Sequence, residues 1–253
     1  MQGFYCIYPP IYSTKSDRAT YNFKGNSASH FVGYNTVAVE KSKFIALGVQ
    51  FTDVNGTTTS IAIKDLLKVD TPYGMTALNG AADQIHVWTG MAWDKYFYHM
   101  NLKTWVKSGE STETTDSVNL GDTVFFLRSM RGNGNITLSG GVYVSNTPST
   151  CSLTKSKFHF LTYPWPVEIK IDDIKNCIDV PYGMTSLNGA ADQIHVWTGM
   201  AWDKYFYHSN LKGFVKSGEN AITTDVIEPG EGFFFLRSMR GNGTLTFTKP
   251  VGL

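Results

Sequence analysis

The residues that could carry metal chemistry in this chain are histidines that recur in register: His86 and His99 reappear as His195 and His208. Imidazole is the commonest protein ligand for transition metals, so a metal site is the first chemistry to weigh. The two members of each pair lie 13 residues apart (86 to 99). The hairpin expected for the intervening chain sets His86 beside Lys95 rather than beside His99. An ammonium at that place disfavours a cation, and no third ligand is indicated. Surface or hydrogen-bonded histidines are the expectation, with no metal and no cofactor.

Carboxylates are the second possibility. Asp83 and Asp94, with their counterparts Asp192 and Asp203, could supply an acid and a base for glycoside hydrolysis. Asp83 stands in an Ala-Ala-Asp-Gln lead-in to a strand, where Asp more often organises a turn. No Gly-x-Ser-x-Gly elbow is present, and no Cys has an evident His partner. The stretch Arg-Ser-Met-Arg-Gly-Asn-Gly, Arg128 to Gly134 and again Arg237 to Gly243, has the glycines of a phosphate loop. It lacks the Lys-Ser/Thr and the helix that such a loop needs. A turn with solvated or interface arginines (Arg128, Arg131, Arg237, Arg240) is expected, able to pair with carboxylates of a neighbouring subunit. These residues point away from an enzyme.

Binding chemistry is better represented. Sugars stack their apolar faces on Trp and Tyr while nearby amides and charges bond the hydroxyls. Trp88, Trp93, Lys95, Asn79 and Gln84 supply those types, and Trp197, Trp202, Lys204 and Gln193 supply them again. The same residue types lead protein interfaces.

Behind these candidates is a duplication, the feature to seek first in a chain of this length. Pro72 to His99 reads PYGMTALNGAADQIHVWTGMAWDKYFYH, and Pro181 to His208 repeats it with Ala77 replaced by Ser186. The same offset carries Val106 to Glu110 onto Val215 to Glu219, and Phe125 to Gly134 onto Phe234 to Gly243. Lys41 to Phe44 matches Lys155 to Phe158 after a small length change. Between these blocks, Ser111 to Val124 and Ala221 to Phe233 diverge, as do Ile45 to Asp70 and His159 to Asp179. A core asks only for hydrophobicity and volume, so packing alone does not hold every residue of the long block. Either the duplication is recent there, or both copies present one surface to one kind of partner. Residues 1 to about 30 have the pattern of a closing hairpin without the rest of its unit: Phe4-Tyr5-Cys6-Ile7, then Ala19 to Gly25.

The elements that must position the candidates are strands. Short apolar runs bounded by Gly, Asn, Pro and Asp recur as in a sandwich or barrel. Strands are expected over 36–39, 44–51, 84–89, 92–99, 104–107, 123–128 and 135–138, with a helical turn or two at 61–68 and at 172–176. The best-defined element is a hairpin turning at Gly90-Met91, with Gly suited to the first turn position. Its register pairs Trp88 with Trp93, His86 with Lys95 and Gln84 with Phe97 on one face. Ile85, Val87, Tyr96 and Tyr98 then face the core.

Composition agrees with this. Aromatic residues make up 14% and charged residues 17%, a balance that favours strands and tight turns. A net charge of +1 gives no basic footprint for nucleic acid, and no apolar run is long enough for a membrane span. Of Cys6, Cys151 and Cys177, at least one must remain unpaired within the chain; Cys151 and Cys177 are the pair to check. Met1 to Tyr5 lack the basic and apolar regions of an export leader.

The order of motifs resembles β-domains of large secreted bacterial surface and filament proteins. The residues that carry this are Leu47-Gly48-Val49-Gln50-Phe51, Asp192 to Gly199 (DQIHVWTG), Pro229 to Arg237 (PGEGFFFLR) and Thr244 to Phe247 (TLTF). The resemblance implies an exported, non-enzymatic component, extracellular or at the cell surface; the missing leader departs from it.

The expectation is thus an all-β chain with a strand-donating segment at 1–30 and two tandem β-sandwich or open-barrel domains, 31–140 and 141–253, parted near Gly140-Gly141. Its expected role is a structural subunit whose partner is itself, assembling into a filament or surface array through β-edge and aromatic contacts. The alternative is a glycan-binding module with two equivalent aromatic sites.

Overall fold

The computed structural model describes residues 24–25, 31–53, 58–76, 80–130, 132–142, 148–186 and 189–251. Apart from Lys24–Gly25, the leading segment 1–23 and residues 26–30 lie outside them, as do Cys6, Asn79 and Arg131. The fold is all-β. Among the described residues helix is confined to α1 (Ile63–Leu66), inside the stretch 61–68 where a turn or two was expected, and a 3-10 segment (Ile171–Cys177) that covers the expected 172–176 and one residue more at each end. No helix among the described residues is long and apolar enough to cross a membrane.

The chain divides into two compact units. The first comprises Met1–Ile45, Val49–Leu120 and Val124–Val144; the second comprises Ser145–Leu253 with the short pieces Ala46–Gly48 and Gly121–Thr123. The first repeat carries strands β1 (Lys24–Gly25), β2 (Phe31–Val39), β3 (Phe44–Gly48), β4 (Phe51–Thr52), β5 (Ser60–Ala62) and β6 (Lys68–Val69). It continues with β7 (Gln84–Trp88), β8 (Trp93–His99), β9 (Thr104–Lys107), β10 (Ser117–Asn119), β11 (Thr123–Leu127) and β12 (Gly134–Val142). One sheet runs in the order β3-β11-β7-β8-β9; another joins β1, β2, β12 and β4, with β6 also paired to β12.

The second repeat carries β13 (Ser149–Leu153), β14 (Phe158–Thr162), β15 (Ile169–Lys170), β16 (Gln193–Trp197), β17 (Trp202–His208), β18 (Gly213–Lys216), β19 (Val226–Ile227), β20 (Gly232–Leu236) and β21 (Gly243–Phe247). Its main sheet, β14-β20-β16-β17-β18, has the strand order of its sequence counterpart, and β13 pairs with β21.

Alternation along the strands puts one face of each main sheet into a core. In the first, Ile85, Tyr96, Trp105, Val124 and Phe126 are buried on that face, and the Trp105 ring meets Tyr98 and Phe126 edge-on. In the second, Ile194, Tyr205, Phe214, Phe233 and Phe235 share one cluster with Leu153, Leu245 and Phe247 of the β13–β21 pair and with Ile171 and Ile174. Each such aromatic withdrawn from water contributes about 1.5–3 kcal/mol, offsetting the entropy of ordering the strands.

Two expectations need correction. The single strand over 44–51 is two: β3 joins the main sheet, while β4 pairs with β12 at Val142↔Phe51. Val49 and Gln50, both buried, make the passage between sheets. A continuous apolar run cannot reveal such a switch. Gly140-Gly141, expected to part the domains, lies inside β12, opposite Gly33 and Val32. Gly140 is there for close approach, since a Cβ on it would lie 2.1 Å from the Thr52 carbonyl oxygen.

Cys151 and Cys177 are free thiols. Cys151 pairs with Leu245, which bridges Ile178 on its other side. Two strand spacings, roughly 10 Å, therefore part the neighbourhoods of the two cysteines, beyond the Cα separation of about 7 Å that a disulfide tolerates.

Candidate functional site

The candidate binding residues stand on the outer face of each main sheet. The β7–β8 register is the expected one: Trp88↔Trp93, His86↔Lys95 and Gln84↔Phe97. β11 adds Phe125 beside His86 and Leu127 beside Gln84. The turn between the strands works because Gly90 adopts φ +92°, and because Thr89 accepts the Ala92 N–H on its hydroxyl at 3.2 Å. Gly199 and Thr198 reproduce both features.

Aromatic rings run across this face in contact. Trp88 and Trp93 lie 5.0 Å apart at 55°, Trp93 and Phe125 are at 5.5 Å, and Phe44 meets both His86 (5.2 Å) and Phe125 (5.8 Å) edge-on. In the second unit Trp197 and Trp202 lie 5.0 Å apart at 54°, Trp202 meets Phe234 at 5.2 Å, and Phe158 meets His195 at 5.3 Å. Thus Trp88 and Trp197 sit in like settings. One difference underlies them: Phe160 stacks on Phe234 at 4.3 Å, while the first repeat has Ala46 at the matching place. The four tryptophans are half-buried and Lys95 and Lys204 exposed.

The amide and imidazole of this face are fixed by one another. Gln84 donates through Nε2 to the Gly80 carbonyl (3.1 Å), and its Oε1 accepts from His86 Nε2 at 2.8 Å. Gln193 and His195 do the same at the same distances. Burial, with Lys95 or Lys204 alongside, pulls each imidazole down from 6.5 to about 4. These rings are neutral at physiological pH. His99 is committed too, accepting Leu102 N–H on Nδ1 (3.3 Å) and donating from Nε2 to the Thr76 carbonyl (3.1 Å). Among the described residues no group of three or more His, Cys, Asp or Glu could hold a metal ion.

The arginine turn differs most from expectation. Arg128 and Arg237, anticipated as solvated or interface groups, are buried and satisfied within their own units. Arg128 donates from Nη1 to Asp83 Oδ2 (2.9 Å), from Nε to the Gly132 carbonyl (3.0 Å) and from Nη2 to the Thr71 carbonyl (3.1 Å). Asp83 in turn accepts Ser129 N–H on Oδ1 and Tyr73 N–H on Oδ2, both at 2.8 Å. Asp192 and Arg237 form the same knot with Tyr182 and Ser238. Arg240 is exposed, its guanidinium 4.4 Å from the Tyr182 ring centre. Arg131 lies outside the described residues.

Asp83 and Asp94 each have a different cation for partner, Arg128 for Asp83 and Lys107 for Asp94. Asp94 pairs with Val87, on the face away from the tryptophans, where Lys107 Nζ donates to Asp94 (2.9 Å) and Asp116 (2.8 Å) and Tyr96 OH donates to Asp116 (2.7 Å). Lys216, Asp203, Asp225 and Tyr205 repeat the arrangement. Hydrogen bonds from Lys107 and then Tyr96 hold the Asp116 carboxyl below its ordinary value, and bonding to Asp116, then Asp94, raises Lys107. Sequence reasoning missed Asp116. The signal was Thr114-Thr115-Asp116, which recurs as Thr223-Thr224-Asp225 inside an otherwise divergent block.

Beside the exposed Lys95, Lys204 and Arg240, the surface also carries apolar side chains. Met91 and Met200, at the hairpin tips beside the tryptophans, are 80% and 85% exposed; Met130 and Met239, in the arginine turns, are 72% and 71% exposed. A scan against protein-family models, a search of curated proteins and a search of solved structures each return no match to this chain.

Proposed function

We propose that this chain is a non-enzymatic structural subunit, placed at the cell surface or outside the cell, that associates with further copies of itself into a filament or array. The observation that carries the reading is the twinned exposure of methionine: Met91 with Met200, and Met130 with Met239, each more than 70% exposed at matching places. Single apolar side chains scattered over a surface are ordinary. The same apolar groups kept at both ends of the arginine-turn strand and hairpin, in both repeats, fit a contact used repeatedly. Methionine suits such contacts because its flexible thioether adapts to the opposing surface.

The aromatic rows strengthen the tips, since Trp88 and Trp93 flank Met91 and stiffen the hairpin. The β9 edge is a poorer contact, because the following segment already bonds to it: Thr114 N–H donates to the Trp105 carbonyl, and Thr223 N–H to that of Phe214. The contact therefore runs through apolar tips more than through that edge. A head-to-tail contact of this kind propagates when its rotation does not close. Negative-stain electron microscopy of the concentrated full-length chain tests the reading. Fibres or sheets are expected, lost in Met91→Lys/Met200→Lys; uniform small particles at every concentration would remove it.

A second reading, a glycan-binding module, is favoured by the exposed Lys95 and Lys204 one row from each tryptophan pair. Binding on a glycan array that Trp93→Ala/Trp202→Ala abolishes would replace the first reading with this one.

A further inference from the structure

Six of the seven described methionines fall into two chemical classes. Met75 and Met184 are half-buried, and each thioether sulfur accepts a hydrogen bond from a tyrosine, Tyr73 OH at 3.4 Å and Tyr182 OH at 3.3 Å. Met91, Met130, Met200 and Met239 stand 71–85% exposed, in matched pairs. Met100 is 48% exposed and has Ser209 as its counterpart. Oxidation of methionine begins with attack by a sulfur lone pair on a peroxide oxygen, so access and lone-pair availability set the rate. A sulfur that accepts a phenol proton has one lone pair engaged and one side shielded.

From this partition we infer that Met91, Met130, Met200 and Met239 form a peroxide-modifiable set, and that their conversion to sulfoxides releases the contacts between copies. The second half of this rests on the proposed function above. In the step, sulfur gives an electron pair to one oxygen of hydrogen peroxide, an S–O bond forms, the O–O bond breaks, and water leaves. Sulfur is oxidised and peroxide reduced. The product replaces an apolar thioether with a strong hydrogen-bond acceptor that prefers water to a dry contact. Because these side chains project from turns and not from the core, the fold stands while its ends become polar.

The experiment treats the full-length chain with hydrogen peroxide and reads it three ways: peptide mass mapping over time, far-ultraviolet circular dichroism, and sedimentation. Expected first are gains of about 16 Da at the four exposed positions, then at Met100, and last at Met75 and Met184. The dichroism is expected to be unchanged, and association to weaken by about ten-fold as apolar contact is lost. Changing all four residues to Leu keeps the ends apolar without an oxidisable sulfur, so that variant is expected to associate and to ignore peroxide. Oxidation of Met75 and Met184 as fast as the exposed four overturns the assignment of the set. Selective oxidation with unchanged sedimentation overturns the release. A chain already monomeric before oxidation overturns the release together with the proposed function, and the mass map still decides the set.

Discussion

Arg128 donates to Asp83 at 2.9 Å, with the guanidinium 5% exposed and the carboxylate fully buried. Two further bonds in the same knot, from Ser129 to the carboxylate and from Arg128 to Thr71, tie the loop before β7 to the turn after β11, while Tyr73 N–H holds the carboxylate from within that loop. Breaking a buried pair from one side strands the other charge, which costs about 3–5 kcal/mol. Asp83→Ala is therefore expected to lower the unfolding free energy from urea titration by that amount, and Asp192→Ala to do the same in the second unit. A loss below about 1 kcal/mol, the size of a surface pair, would mean that the knot is not closed in solution.

The lysine clusters on the face away from the tryptophans should behave otherwise. Lys107, Asp94 and Asp116 are each more than a quarter exposed, so water and salt screen them. Lys107→Ala is expected to cost about 1 kcal/mol or less, and added salt to shrink that further. Denaturation of parent and variant at low and high salt checks this; a cost matching Asp83→Ala would contradict it.

Acid should act through the histidines. His86 and His195 bind their proton near pH 4 in the folded chain, against 6.5 for an unperturbed imidazole, through burial and then the neighbouring lysine. Between those values the unfolded chain takes up protons that the folded chain refuses, so stability falls as pH drops from about 6.5 towards 4. Above that window the contribution is constant. The loss is on the order of 2–3 kcal/mol per histidine at 1.4 kcal/mol per pKa unit. Urea midpoints from pH 7 to pH 4 should fall more steeply for the parent than for His86→Gln/His195→Gln, and parallel curves would contradict the assignment.

The thiols offer a quieter check. Burial, then a nearby carboxylate in each case (Asp122 and Asp173), pushes Cys151 and Cys177 up to about 11. Thiolate is scarce at pH 8, so both should alkylate slowly in the folded chain and rapidly in denaturant. Recovery of a Cys151–Cys177 disulfide from non-reduced peptide maps would refute the strand spacing described here.

Much of the hairpin was legible because its signals are local: alternation along Gln84 to Trp88, a glycine at the turn, and the same letters written twice. The aromatic face followed from that register. The Asp83–Arg128 knot was not legible, since it joins residues 45 apart in sequence, and an Asp before a strand and an Arg before a glycine-rich turn each read as surface punctuation. The structure also gives part of the identity in the long block a plain reason. Asp83, Gln84 and His86 are buried polar groups with specific partners, and at such positions volume alone is not a substitute. No such constraint accounts for Met91 and Met200, which touch water.

The most direct measurement is sedimentation velocity of the full-length chain across a wide concentration range, beside Met91→Lys/Met200→Lys and Met130→Lys/Met239→Lys. Repeated apolar ends predict a parent whose sedimentation coefficient climbs with concentration, and variants held at the monomer value with unchanged far-ultraviolet dichroism. A parent that stays at the monomer value throughout, or charged variants that climb as it does, would contradict the account.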